Sequence, residues 1–126
     1  VSNPPFFVND LKNVEEKKGI ARHASEQFFK DLIAKVNDLL APNGCFWCIL
    51  PIKQAESLVE IGKPLGLHTR KIIHLHSDET KSAFRQIICL SRTRGGVKNE
   101  HFYIYQEEKV YTDAYKSLLR DFFLGY

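Results

Sequence analysis

Methionine is absent from all 126 residues, and the chain begins at Val1. Because a natural protein starts with methionine, we expect Val1 to be a cut point within a longer protein. No apolar run approaches the roughly 18 residues that a membrane helix needs, and no charged and then apolar leader precedes a small-residue cleavage site. These absences predict a soluble, cytoplasmic protein without a membrane partner.

Cysteine is scarce, and its number is odd, with Cys45, Cys48 and Cys89 as the three. An odd count argues against a disulfide framework and for a reducing compartment. Cys45 and Cys48 have C-x-x-C spacing, but they lie in the apolar run Cys45–Leu50, which is typical of a buried strand. On a strand they point to opposite faces, and no second pair completes a zinc site, so we expect no metal.

Charge is nearly balanced, with 18 Lys and Arg against 15 Asp and Glu and a net charge of +3. This mild excess is compatible with a polyanionic partner without requiring one. With 44% hydrophobic residues, the chain can form one core but is too short for two ordinary domains. We predict a single-domain fragment over residues 1–126.

Apolar periodicity predicts alternating helices and strands. A helix capped by Ser25 and ended by residues 41–44 precedes the strand Cys45–Leu50, and a second helix covers Lys53–Gly62. Period-two patterns then predict a hairpin of two strands and a third strand, before a closing helix. These four elements are expected at Thr69–Ser77, Phe84–Arg92, His101–Gln106 and Thr112–Leu124.

This order of elements predicts an α/β fold, the C-terminal half of a Rossmann-like, doubly wound sheet. The strand Cys45–Leu50 fits a central parallel position covered by helices on either side. If Val1 and Ser2 end an upstream strand, Asn3-Pro4-Pro5-Phe6 lies just beyond its carboxyl end. Open α/β sheets bind their ligands at that position.

The stretch Asn3-Pro4-Pro5-Phe6 resembles the catalytic motif of the AdoMet-dependent amino methyltransferases, which methylate exocyclic amines of adenine or guanine, or the amide of glutamine. Three longer stretches are similar to one bacterial family, which acts on the adenine beside the anticodon of valine tRNA: Asn3–Asn13, Ala21–His23 and Tyr111–Leu124. The resemblance implies a class I methyltransferase, with S-adenosylmethionine as methyl donor and the exocyclic amine of adenine in tRNA as acceptor.

The motif residues suit this chemistry. The lone pair of an exocyclic amine is delocalised into the base, so methyl transfer needs acceptors that hold its two N–H groups. The resemblance gives Asn3 the side-chain acceptor and Pro4 the backbone carbonyl, while Pro5 helps fix their angle. Phe6 would stack on the target base, with Phe7 beside it. A rigid turn with an aromatic plug is the structural alternative.

Arg22 and His23 match the family just before the predicted first helix, and we expect them to contact RNA. They end the polar segment Asp10–His23, which is either a mobile loop that closes over RNA or a solvated connector.

Two other groups of residues are candidate sites. Arg92, Arg94 and Lys98 form a basic cluster that is a candidate for tRNA contact. His74 and His76 have the spacing of a metal pair on one strand face. No third ligand is evident nearby, so we expect ordinary sheet histidines.

Two departures from the family pattern bear on substrate and cofactor. The guanine-directed ribosomal RNA enzymes usually have His after the motif, and Phe7 here disfavours that substrate. The glycine-rich loop and the acidic residue that bind AdoMet in this family have no counterpart, since Gly95 and Gly96 lie between two strands. We therefore expect the cofactor half upstream of Val1, and a fragment that self-associates through exposed apolar surface and is inactive alone.

Two other functions stay open from the residues alone. One is a non-catalytic module that binds nucleic acid or another partner through the aromatic Asn3–Phe7 loop. The other is methylation of a protein glutamine, for which the same motif serves.

Overall fold

The structure, a computed structural model, describes residues 1–2, 4, 15–107 and 110–121, with the backbone alone for residues 15–25. The helices and strands follow one another as α1 (Glu15–Leu39), β1 (Cys45–Pro51), α2 (Ile52–Gly62), β2 (His68–His76), β3 (Arg85–Ser91), β4 (Lys98–Tyr103), β5 (Tyr105–Glu107), β6 (Val110–Tyr111) and α3 (Asp113–Leu119). The fold over these residues is mixed α/β, which confirms the predicted class at that level.

The main sheet has four strands in the order β1-β3-β2-β4. The predicted hairpin is confirmed, because β2 turns back into β3, and β3 lies antiparallel between β1 and β2. Strand β4 lies parallel to β2 at the outer edge. The prediction of a parallel position for Cys45–Leu50 is therefore wrong on the side of β3. On its other side β1 forms one parallel bridge, between Cys48 and Ser2.

One face of this sheet packs against α1 and α2. Alternate residues of β1 point to it, and their β3 partners do the same, since Phe46 pairs with Leu90 and Cys48 with Ile88. This alternation is the period-two pattern of a strand with one covered face. The fully buried side chains of the core are Phe29, Ile33, Cys48, Leu50, Ala55, Leu58, Leu67, Ile88 and Leu90.

The opposite face of the sheet is also apolar, but most of it is only half-buried. The half-buried residues of this face, from three strands, are Trp47, Ile49, Ile73, Leu75 and Ile87. We expected helices to cover both faces of β1. Among the described residues, helices cover only the first face. The second face leaves apolar surface for further contacts.

Helix α1 begins ten residues before the predicted cap, so the assignment of Ser25 as N-cap is wrong. The prediction relied on the apolar stripe, which starts only at Phe28. The turns before it, from Glu15 onward, contain Glu, Lys, Ala and Arg, which favour helix without needing a buried face. The part 15–23 of the expected polar loop is consequently helical.

The third predicted strand divides at Ile104 into β4 and β5, because the backbone there changes partners. The Ile104 N–H donates to the His76 carbonyl (3.0 Å), while the Ile104 carbonyl accepts from Thr112 N–H (2.8 Å). Thr112 caps α3 as predicted, since its side chain accepts from Tyr115 N–H at 3.2 Å. The predicted helix residues after 121 lie outside the described part of the chain.

Arg92, directly after β3, holds the C-terminal end of α1. Its guanidinium donates to the Asn37 side-chain oxygen (2.8 Å), to the Asn37 carbonyl, and to the Leu40 carbonyl (3.3 and 3.4 Å). A helix C-terminus carries unpaired carbonyls and a partial negative charge. A guanidinium there donates hydrogen bonds to the carbonyls and offsets the charge. This contact joins α1 to the sheet across more than fifty residues.

We expect Arg92→Ala to lower the free energy of unfolding by about 1 to 3 kcal/mol, because hydrogen bonds from a charged donor are lost and helix carbonyls are left unpaired. Urea unfolding followed by circular dichroism measures this. The matched control is Arg94→Ala, which removes an exposed arginine two residues away and should cost less than about 0.5 kcal/mol. Equal losses in the two variants would show that Arg92 has no such role.

The three cysteines differ in burial. Cys45 is exposed, whereas Cys48 and Cys89 are buried, and all three are free thiols. Burial raises the pKa of the Cys48 thiol to about 12. Burial, together with the neighbouring Cys45 thiol, raises the pKa of Cys89 to about 11. Cys45 and Cys48, despite their C-x-x-C spacing, therefore lie on opposite faces of β1 and form no reactive pair.

Iodoacetamide at pH 8 should modify one cysteine of the folded protein, Cys45, because the thiolate is the reactive form and the other two stay protonated and buried. In urea all three should react, and intact-mass spectrometry counts the adducts. Cys45→Ser should abolish the reaction under native conditions. Fast native modification of Cys48 would contradict its placement in the core.

Candidate active site

The start of the chain lies beside β1. The Ser2 N–H donates to the Trp47 carbonyl (2.8 Å), and the Ser2 carbonyl accepts from Ile49 N–H (3.2 Å). These two bonds are the pattern of a parallel pair, so residues 1–2 run in the same direction as β1. Pro4 follows and is buried.

Pro4 is the one residue of the predicted motif that the structure describes. Asn3, Pro5, Phe6 and Phe7 lie outside the described residues. Because Ser2 runs parallel to β1, Pro4 comes at the carboxyl end of the strands. The position of Pro4 is thus the one expected from the sequence, while the roles of the motif residues stay predictions.

Arg22 and His23 lie within α1, not before the first helix as predicted. Their side chains are outside the description. From Glu15 onward this segment is helical and is neither the mobile loop nor the solvated connector that the sequence left open, so any RNA contact by these two residues would come from a regular helix.

Three strands end at the edge where Pro4 lies. Strands β1, β2 and β4 all run in one direction, so their last residues, Pro51, His76 and Tyr103, lie at the same edge of the sheet. The hairpin loop between β2 and β3 begins there with Asp78. Its carboxylate accepts from the Thr80 N–H (2.8 Å) and hydroxyl (2.6 Å), and these bonds lower the pKa of Asp78.

Parallel pairing brings a third histidine to His74 and His76. His101 of β4 pairs with His74, and Tyr103 pairs with His76. Ring centroids are separated by 4.8 Å from His74 to His101, 5.0 Å from His101 to His76, and 4.8 Å from His76 to Tyr103. We call these four residues the ring stack. Sequence reasoning missed it, because the two strands are about 25 residues apart and no local pattern predicts their register.

Hydrogen bonds fix the arrangement of the ring stack. His76 Nδ1 lies 2.8 Å from the Lys81 carbonyl, which only accepts, so this nitrogen carries a proton. His76 Nε2 lies 2.8 Å from His101 Nδ1, and His74 Nε2 lies 2.9 Å from the Asn99 side-chain oxygen. His74 and His76, predicted to be ordinary sheet histidines, therefore also contact a third histidine, His101 of β4.

The basic cluster at the other end of β3 divides into different roles. Arg92 is committed to the end of α1. Lys98 lies 3.4 Å from the Glu100 carboxylate, which Lys71 also contacts at 3.1 Å, and these contacts lower the pKa of Glu100, with Lys71 as the larger cause. Arg94 is exposed. The cluster is thus largely engaged within the protein.

The described residues do not provide the cofactor site that the resemblance implies. Gly95 and Gly96 lie in the connection from β3 to β4, with no helix after them, so they are not a strand-to-helix phosphate loop. Among the described residues, no three side chains of His, Cys, Asp or Glu are placed to hold a metal ion.

In the part of the chain that the structure describes, no helix has both the length and the apolar character to cross a membrane.

Comparison with known proteins finds relatives that match the chain along its whole length. No protein-family model matches it. The chain is 49% identical over 126 residues to a protein from Pedobacter heparinus named tRNA1(Val) (adenine(37)-N6)-methyltransferase, covering all of the chain and 54% of the relative. Proteins of the same name from Parabacteroides distasonis and Pseudoalteromonas atlantica are 32% and 29% identical, with 98% and 100% of the chain covered and 53% and 55% of the relative.

The chain thus spans about half the length of the curated relatives it matches. It is related by sequence, along its whole length, to the tRNA1(Val) (adenine(37)-N6)-methyltransferase family, which confirms the resemblance found in its terminal segments.

Proposed function

We propose that this chain is the substrate-side, C-terminal half of an AdoMet-dependent methyltransferase, and that the whole protein methylates the exocyclic amine of an adenine in valine tRNA. The observation that carries the proposal is the 49% identity over the full chain to a protein of that name. The placement of Pro4 at the carboxyl edge of the sheet supports it, because ligands of open α/β sheets bind there.

The proposed roles follow from the motif. The Asn3 side-chain oxygen and the Pro4 carbonyl accept the two N–H groups of the target amine and thereby localise its lone pair. The proline at position 5 limits the backbone angles, so both acceptors are oriented before the base arrives. The rings of Phe6 and Phe7 stack on the base. Arg22 and His23, on α1, contact the RNA backbone.

The methyl donor belongs to another part of the proposed protein. S-adenosylmethionine supplies an electrophilic methyl group when bound, and the described residues hold no loop suited to it. We propose that its site is formed by the segment that relatives possess and this chain does not cover. The half-buried apolar face of the sheet supports such a division, since it offers a surface for that segment to pack on, or for a second copy when the chain is alone.

Asn3→Ala in the complete gene product should reduce the methylation rate by about 10²- to 10³-fold, because one oriented hydrogen-bonding group is lost at the reacting amine. RNA affinity should change little. Transfer of a radiolabelled methyl group to valine tRNA measures the rate, and a filter-binding titration measures the affinity.

Ser2→Ala is the matched control for this experiment, because Ser2 pairs with β1 through its backbone alone and the variant should keep the wild-type rate. If Asn3→Ala instead loses affinity in a protein that never methylates, a nucleic-acid-binding module is the better account. If a glutamine-containing protein is methylated and tRNA is not, the motif serves the other substrate.

The isolated 126-residue chain should show no micromolar binding of S-adenosylmethionine by calorimetry, and light scattering should show dimers or larger species. The reason is that its described residues lack a cofactor loop and leave an apolar sheet face only half-buried. Micromolar binding by the isolated chain would contradict the division of the protein that we propose, and a monodisperse monomer would contradict the exposed interface.

A further inference from the structure

The ring stack has the features of a binding surface that the motif chemistry does not use. Its rings alternate between strands in the order His74, His101, His76 and Tyr103, and they advance toward the carboxyl edge. His101 is exposed, and the other three are half-buried. Side chains in such an arrangement stay accessible from solvent while their neighbours fix their orientation.

The hydrogen bonds of the stack leave one polar atom available. Because His76 Nδ1 donates to the Lys81 carbonyl, the Nε2 of a neutral His76 accepts, and His101 Nδ1 must donate to it. The Nε2 of His101 is then an acceptor when that ring is neutral and a donor when it is protonated. Within the described part of the chain, this Nε2 has no hydrogen-bond partner.

The ring stack ends at the same edge of the sheet as Pro4. Tyr103 is the last residue of β4, so its ring closes the stack at the edge where Pro4 lies. Ser2 lies beside β1, and β4 is at the opposite edge of the sheet. Four strand spacings of about 4.8 Å therefore separate Ser2 from β4, which is roughly 19 Å. A few nucleotides of unpaired RNA cover that distance, so a loop whose adenine is at Asn3 and Pro4 can reach Tyr103.

We propose that the ring stack binds a nucleotide that flanks the target adenine, with its base stacked on Tyr103 and a polar group of that nucleotide hydrogen-bonded to His101 Nε2. This proposal rests on the proposed function. Proteins recognise single-stranded RNA loops by stacking bases on tyrosine and histidine rings and by contacting the 2′-hydroxyl and base edges. The ring stack would thus select an RNA loop of suitable length, in addition to the selection of adenine by the motif.

The first test uses the complete gene product and a fluorescent RNA hairpin with the sequence of a valine-tRNA anticodon arm. Tyr103→Ala should weaken binding by about ten- to hundredfold, which is the range for losing one base–aromatic stack. Tyr103→Phe keeps the ring and should bind like wild type. His68→Ala removes a ring at the opposite end of β2 and should also bind like wild type.

The second test keeps the proposal falsifiable if Tyr103→Ala fails to fold. Abasic nucleotides are placed one at a time around the target adenine, and wild-type protein should lose about tenfold or more in affinity at one position. The apolar variant Tyr103→Leu should lose nothing further at that same position. Equal binding of every abasic hairpin by wild type, or wild-type affinity of folded Tyr103→Ala, would overturn the proposal.

These outcomes separate the two proposals. Methylation of valine tRNA that depends on Asn3 but not on Tyr103 would leave the proposed function standing and remove the role of the ring stack. Absence of both methylation and RNA binding in the wild-type protein would remove the proposed function itself, and the ring stack proposal with it.

Discussion

The insertion of β3 between β1 and β2 is the constraint on which the rest of this structure depends. It buries Ile88 and Leu90 at the centre of the sheet, under α1 and α2. Within the described four-stranded sheet, β3 runs opposite to the other three strands, so that β1, β2 and β4 share one direction and end at one edge. Because strand side chains alternate between faces, a slip of one residue in the β3 register would exchange the buried and exposed faces. The core and the carboxyl edge of the sheet are therefore determined together.

That edge collects groups from distant parts of the chain. Pro4 reaches it through the backbone pairing of Ser2 with β1, and His101 and Tyr103 reach it through the parallel pairing of β4 with β2. The hairpin loop is tied to the same edge by the bond between His76 and the Lys81 carbonyl. A methyltransferase that acts on one adenine of a folded RNA needs two kinds of selection, one for the base and one for its surroundings. In the function that we propose, the motif selects the base and the ring stack selects its surroundings.

Local patterns in the sequence predicted the elements whose formation is driven by apolar burial. The strand Cys45–Leu50, helix α2 and the β2–β3 hairpin were all found, because each has an apolar period that matches its structure. The start of α1 was missed because its first turns favour helix by propensity without an apolar stripe. The position of β3 and the meeting of His101 with His76 were beyond any local pattern, since strand order and register are set by contacts between distant segments. The motif residues were predicted by resemblance and their roles stay predictions, since Pro4 alone among them lies in the described part.

The measurement that tests the central claim most directly is nucleoside mass spectrometry of purified valine tRNA from the source organism, with and without the gene that carries this chain. The account predicts that N6-methyladenosine beside the anticodon disappears when the gene is deleted and returns when the complete gene is restored. Complementation by the segment for residues 1–126 alone should not restore it. Persistence of the modified adenosine in the deletion strain would contradict the assignment of this chain to a tRNA adenine methyltransferase.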